Sequence, residues 1–108
     1  DGLASDLGHI LRASGIGAQV ELTQLPLSPA LAALPSEQSW QLALAGGDDY
    51  ELCFTLPEQH RGALVTALLG TGVAVTEIGR VVSGEPVIQW LHGGSPHDLL
   101  LRGWDHFQ

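Results

Sequence analysis

Gly46-Gly47-Asp48-Asp49-Tyr50-Glu51-Leu52 joins two glycines, two adjacent carboxylates and the start of an apolar alternation within seven residues. Two glycines free the backbone to turn sharply or to approach a ligand closely. The acids that follow set charge at the rim of the next element, and loops held by rigid elements are where binding groups collect. The same stretch also reads as a plain helix stop, glycine after a helix with solvated acids beside it. Asp1, Asp6, Asp48, Asp49 and Glu51 all fall at expected element ends. Carboxylates are hard oxygen ligands suited to Mg²⁺, which keeps several waters and bridges to phosphate. Read alone, they are more simply solvated surface acids.

Other chemistries lack their residues. The four basic residues are all arginine, so no glycine-rich phosphate loop with its lysine exists in the chain. No H-E-x-x-H and no cysteine pair offers a zinc site. His9, His60, His92, His97 and His106 share no ligand spacing, and no Ser-His-Asp set can be read from sequence neighbours. Cys53, in the middle of an apolar run, reads as a small buried apolar residue.

The elements that would position these groups follow from periodicity. Leu3, Leu7, Ile10 and Leu11 recur at helical spacing, which predicts an amphipathic helix over 3–14, capped by Asp1 or Ser5 and stopped by Gly15 and Gly17. Residues 18–25 alternate as a strand, with Val20 and Leu22 on one face. Ser28-Pro29 opens a short helix that Pro35 closes, and a second short helix over 37–45 runs into Gly46-Gly47. Residues 50–56 read as a strand, 57–69 as a helix, and 73–82 with 86–91 as two strands joined by a Ser83-Gly84-Glu85 hairpin turn. Gly93-Gly94-Ser95-Pro96 reads as a loop, and the apolar, aromatic tail 99–107 should pack. Helices alternate with strands, yet the last strands form a hairpin. The expected class is therefore α+β, a mixed sheet with helices packed on it.

Composition bounds the function. At 108 residues and 44% apolar content the chain is a single globular domain, 1–108, with a real core. Twelve acids against four arginines, a formal charge of −8, leave no cationic surface for a nucleic acid backbone. An anionic substrate would need metal ions or a cationic partner segment. No apolar run approaches the length of a membrane span, no signal peptide is visible, and a single cysteine suggests a reducing compartment.

Three stretches together resemble one family. Asp1-Gly2-Leu3 with Ser5-Asp6-Leu7-Gly8-His9-Ile10 resembles the Ser-Asp-Gly-Leu…Asp-Leu-x-His-Ile motif of thiamine-monophosphate kinases, without its leading serine. Gly46 to Leu52 resembles that family's Gly-Gly-Glu/Asp-Asp-Tyr-Glu-Leu motif. Gly103-Trp104-Asp105-His106-Phe107 resembles its closing Gly-aromatic-Asp-His-Phe. The three occur in the family's order across nearly the whole chain, and the match is to the family's C-terminal domain only.

The resemblance implies the C-terminal domain of the aminoimidazole ribonucleotide synthetase-like architecture, partly ferredoxin-like. It implies transfer of the ATP γ-phosphate to thiamine phosphate, in the cytoplasm, with Mg²⁺ as the metal. The N-terminal domain that dimerises and holds most of the Mg²⁺ and ATP ligands has no counterpart in this chain. The chain is thus expected to be the substrate-side domain, inactive alone, with no catalytic residue of its own and an unusually apolar face toward that other domain. By the family match, Asp1 binds metal, and Asp48 and Trp104 contact substrate. Asp48 is one methylene shorter than the frequent glutamate, and Trp104 replaces a frequent tyrosine. A carboxylate can pair with the thiazolium or accept from the aminopyrimidine, and an indole face attracts a cation by about 0.5–2 kcal/mol. Asp49 is expected to brace the turn. Other readings on the same scaffold are an aminoimidazole ribonucleotide synthetase or selenophosphate synthetase type of enzyme, or a ligand-binding domain without activity.

Overall fold

The computed structural model describes residues 2–45 and 52–99. Helix α1 spans Leu3–Ser14 and buries Leu7 and Leu11, one turn apart. It ends at Gly15, whose left-handed backbone (φ 67°) no β-carbon would favour, and the Gly15 N–H donates to Leu11 O at 2.8 Å. Strand β1, Gly17–Glu21, alternates buried and half-exposed positions and leads into a 3₁₀ turn over Leu22–Gln24. Helix α2, Pro29–Ala32, starts where expected: the Ser28 side chain accepts from Leu31 N and proline occupies the first turn. Helix α3, Ser36–Ala45, buries Trp40 and Leu44 four residues apart and leaves Leu42 exposed. After a 3₁₀ turn over Glu58–His60, helix α4 covers Arg61–Leu68 and carries no buried residue.

The sheet has four strands among the described residues, in the order β2-β1-β3-β4, with β2 at Gly79–Val82, β3 at Ile88–His92 and β4 at Ser95–Pro96. Strand β1 pairs antiparallel with β2 and parallel with β3, which makes the sheet mixed, as expected. Ala18 and Val20 turn one face of β1 into a core shared with Leu7 and Leu11 of α1 and Trp40 and Leu44 of α3. Leu22, Leu25 and Leu99 complete it.

The expected hairpin around Ser83-Gly84-Glu85 does not form, because β1 lies between the two strands. Strand β1 supplies the buried apolar pair, so pairing on both its edges protects the most apolar backbone from water. The 83–87 link must then cross the start of β1. A β-carbon on Gly17 would come within 2.7 Å of Glu85 O and 3.3 Å of Val87 O, and Ala18 N donates to Val87 O at 3.1 Å. Glycine at position 17 is what lets the link cross.

Three strand expectations change, the first being 18–25, which ends at Glu21 because 22–24 turn into a 3₁₀ helix. Strand β2 begins at Gly79, not at residue 73. Of the expected strand 50–56, residues 50 and 51 lie outside the described residues, and 52–56 carry no ladder among those described. Alternation alone makes no strand without a partner edge. Here Cys53 packs against the core while Leu52 stays 75% exposed and Phe54 44% exposed, so burial went to the face opposite the larger apolar side chains. The Gly93-Gly94 loop proves to be a tight turn between β3 and β4, both glycines at positive φ, with His92 paired to Ser95.

Candidate functional site

The first helix begins against the end of the third. A β-carbon on Gly2 would lie 2.6 Å from Leu44 O and 3.1 Å from the Ala45 backbone, and Gly2 adopts φ 93°. Both facts demand glycine directly after Asp1. Gly2 O accepts from Asp6 N at 3.2 Å, which starts the turn of α1. The chain stem that follows Asp1 and the stem that precedes Gly46 therefore meet at one place. Leu99, 8% exposed, enters the same core as Leu44. Asp1, Asp48, Asp49 and Trp104 themselves lie outside the described residues. What the structure brings together is Gly2 and Ala45, while Leu99 joins the same hydrophobic core as Leu44.

The electrostatics around this junction are negative. Asp6 lies exposed in the first turn of α1, where the helix dipole favours a carboxylate. Half-buried Cys53 has its thiol pushed up, first by burial and then by the charge of Asp6. It stays protonated near neutral pH and is no thiolate nucleophile. As for a metal, the described residues alone do not fit one: no group of three or more His, Cys, Asp or Glu among them is placed to hold an ion.

The other sheet face is open and polar. Gln19, Glu21, Arg80, Gln89, Leu91 and Pro96 line a cavity of about 710 Å³. Gln19 Nε2 donates to Gln89 Oε1 at 3.0 Å across the parallel pair, and Arg80 Nε donates to Gln19 Oε1 at 3.4 Å. At its edge Glu21 accepts four bonds. Thr23 Oγ1 (2.8 Å), Thr23 N (3.2 Å) and Gly93 N (2.9 Å) donate to Oε2, and Gly94 N (2.7 Å) donates to Oε1. Successive N–H groups of a left-handed turn form an anion nest, and here the chain's own carboxylate fills it. These bonds, that of the Thr23 hydroxyl first, lower the Glu21 pKa from the ordinary 4.5 to about 2.

On the helical side, Trp40 meets His92 and His97 edge-on, with ring centroids 5.2 and 5.3 Å away, and His97 Nε2 lies 3.2 Å from Glu37 Oε1. Reading by spacing missed both clusters. Glu21 precedes its glycine partners by 72 and 73 positions, and Glu37 precedes His97 by 60. The one local hint was the Gly93-Gly94 pair between His92 and His97.

Residues 1–91 match the family model described as AIR synthase related protein, C-terminal domain. Over 108 residues the chain is 48% identical to the thiamine-monophosphate kinase of Escherichia coli, covering 99% of this chain and 33% of that protein. It is 44% identical over 112 residues to the thiamine-monophosphate kinase of Haemophilus influenzae, covering 100% of this chain and 34% of that one. The crystal structure of thiamine-monophosphate kinase from Stenotrophomonas maltophilia superposes with a TM-score of 0.75 at 40% identity, covering 90% of this chain and 30% of the other. The chain spans about a third of the length of the curated relatives it matches. Among the described residues no helix is long and apolar enough to cross a membrane.

Proposed function

The chain belongs to the family of AIR synthase related proteins, C-terminal domain, and from that membership we propose that it is the substrate-side domain of a thiamine-phosphate kinase. The reaction is transfer of the ATP γ-phosphate to the phosphate of thiamine phosphate, which yields thiamine diphosphate and ADP. The observation that carries this reading is the match to thiamine-monophosphate kinases along the full chain. The contact of Gly2 with Leu44 and Ala45 supports it, because it draws two of the three motif stems to one junction.

In this reading Asp1 is a metal ligand, and Asp48 and Trp104 recognise the substrate. Asp48 offers a carboxylate to the thiazolium cation or to the aminopyrimidine N–H, and Trp104 offers a ring face to a planar cation. Asp49 braces the glycine turn through backbone amides. Bound Mg²⁺ would supply charge neutralisation on the phosphates. Phosphoryl transfer depends mostly on positioning and on stabilising charge, so this domain's part is to hold and orient thiamine phosphate. Most of the groups that bind ATP and Mg²⁺ belong to a region outside these residues, through which the protein also forms a homodimer. The compartment is the cytoplasm.

The test is kinetic. In a full-length protein carrying this chain, Asp48→Ala raises KM for thiamine phosphate about tenfold or more while KM for ATP stays nearly constant, the loss of roughly one charged contact. An equal rise in both would assign Asp48 to the metal or to the fold. A substrate panel that finds no activity on thiamine phosphate would overturn the reading altogether.

A further inference from the structure

Glu37 and Trp40 lie three residues apart on α3, on neighbouring turns of one face. His92 closes β3 and His97 follows β4, so the two imidazoles flank the tight Gly93-Gly94 turn. Trp40 is 6% exposed, with both rings edge-on to it, and the two histidines stand edge-on to each other at 5.7 Å. Glu37 then meets His97 Nε2 from the helix side. A core that needed only volume at position 40 would be served by leucine. An indole held by two perpendicular rings and flanked by a carboxylate–imidazole contact fixes the rotation of α3 as well as its distance from the hairpin.

That orientation has a consequence along the chain. Helix α3 ends at Ala45, three residues before Asp48, and the hairpin runs through Asp98 to buried Leu99, five residues before Trp104. We propose that Glu37, Trp40, His92 and His97 form a clamp of positioning residues that sets the two chain stems leading to Asp48 and Trp104 in fixed register. The clamp touches no substrate and rests on the reading of Asp48 and Trp104 given above.

The test is a double-mutant cycle in the full-length protein, with hydrogen exchange as a second readout. Glu37→Ala and His97→Ala each raise KM for thiamine phosphate about 3- to 10-fold, with kcat and KM for ATP within about 2-fold of wild type, the scale of one lost polar contact. The double variant is no worse than the worse single, because the pair acts as a unit. His97→Gln, whose amide nitrogen can still donate to Glu37, returns KM to within about 2-fold of wild type. Amides of 42–45 and 97–99, the ends of the two stems, exchange faster in His97→Ala while those of α1 and β1 do not. An additive double variant, parallel rises in both KM values, or no change in KM overturns the clamp. If the wild-type protein leaves thiamine phosphate untouched, the substrate reading falls by itself. Hydrogen exchange then decides the clamp alone, and uniform acceleration across α1 and β1 rejects it.

Discussion

Glu21 shows how much one side chain can hold in a short sheet. Its carboxylate links the end of β1 to the β3–β4 turn through Thr23, Gly93 and Gly94. The bonds favour the charged form, so its pKa in the fold is about 2 against an ordinary 4.5. A depressed carboxylate pKa contributes stability at pH above its unfolded value, and that contribution fades as pH falls through the folded value. The expected result is a Glu21→Gln variant with a lower thermal midpoint than wild type at pH 7. The gap narrows between about pH 4.5 and pH 2 and closes below it. Thermal denaturation of both proteins across that range checks it, and a gap independent of pH would mean that shape, not charge, holds the turn. None of this was legible beforehand. Thr23 is a sequence neighbour of Glu21, but Gly93 and Gly94 are neighbours only in space.

At the scale of elements, local rules performed well wherever a segment carries its own instructions. Helices α1 and α3 run where apolar spacing and stop signals put them, and Ser28-Pro29 opens α2 as capping chemistry requires. Strand pairing did not follow from local rules. Ser83-Gly84-Glu85 reads as a hairpin turn, yet it links two strands on opposite edges of β1. The crossing relies on Gly17, where a methyl group would meet Glu85 O at 2.7 Å. Gly17→Ala is expected to destabilise the domain by about 1–3 kcal/mol, the range for overpacking a tight contact, as measured by urea denaturation. An unchanged midpoint would show that the 83–87 link moves aside freely. Gly15→Ala is not an equivalent test, because its cost arises from backbone conformation and nothing lies within 4 Å of its absent β-carbon.

For the whole molecule, charge and completeness matter more than any single contact. A formal charge of −8 with no lysine sets the chain poorly to hold ATP phosphates by direct cationic contact. Among the described residues no carboxylate and imidazole group is placed to hold a metal instead. The expectation is that these 108 residues by themselves release no ADP from ATP and thiamine phosphate. A coupled assay for ADP checks it, and turnover by the isolated chain would relocate the phosphate-binding groups into this domain. The family relation was legible from three short motifs whose order and spacing survive. The motif residues Asp1, Asp48 and Trp104 themselves lie outside the described residues.

What the amino-acid sequence determined alone is whatever depends on neighbours within about one helical turn. That includes the amphipathic face of α1, the cap of α2, the glycine after α3, the net charge and the motif residues themselves. Tertiary structure decided which strand lies beside which, that Glu21 fills the Gly93-Gly94 nest, and that Trp40, His92 and His97 meet edge-on in one cluster. It also set Gly2 against Ala45, which joins the stem after Asp1 to the stem before Asp48. The physical reason is burial. Covering the apolar face of β1 and satisfying its backbone on both edges is a global requirement, and no stretch of the chain carries it by itself.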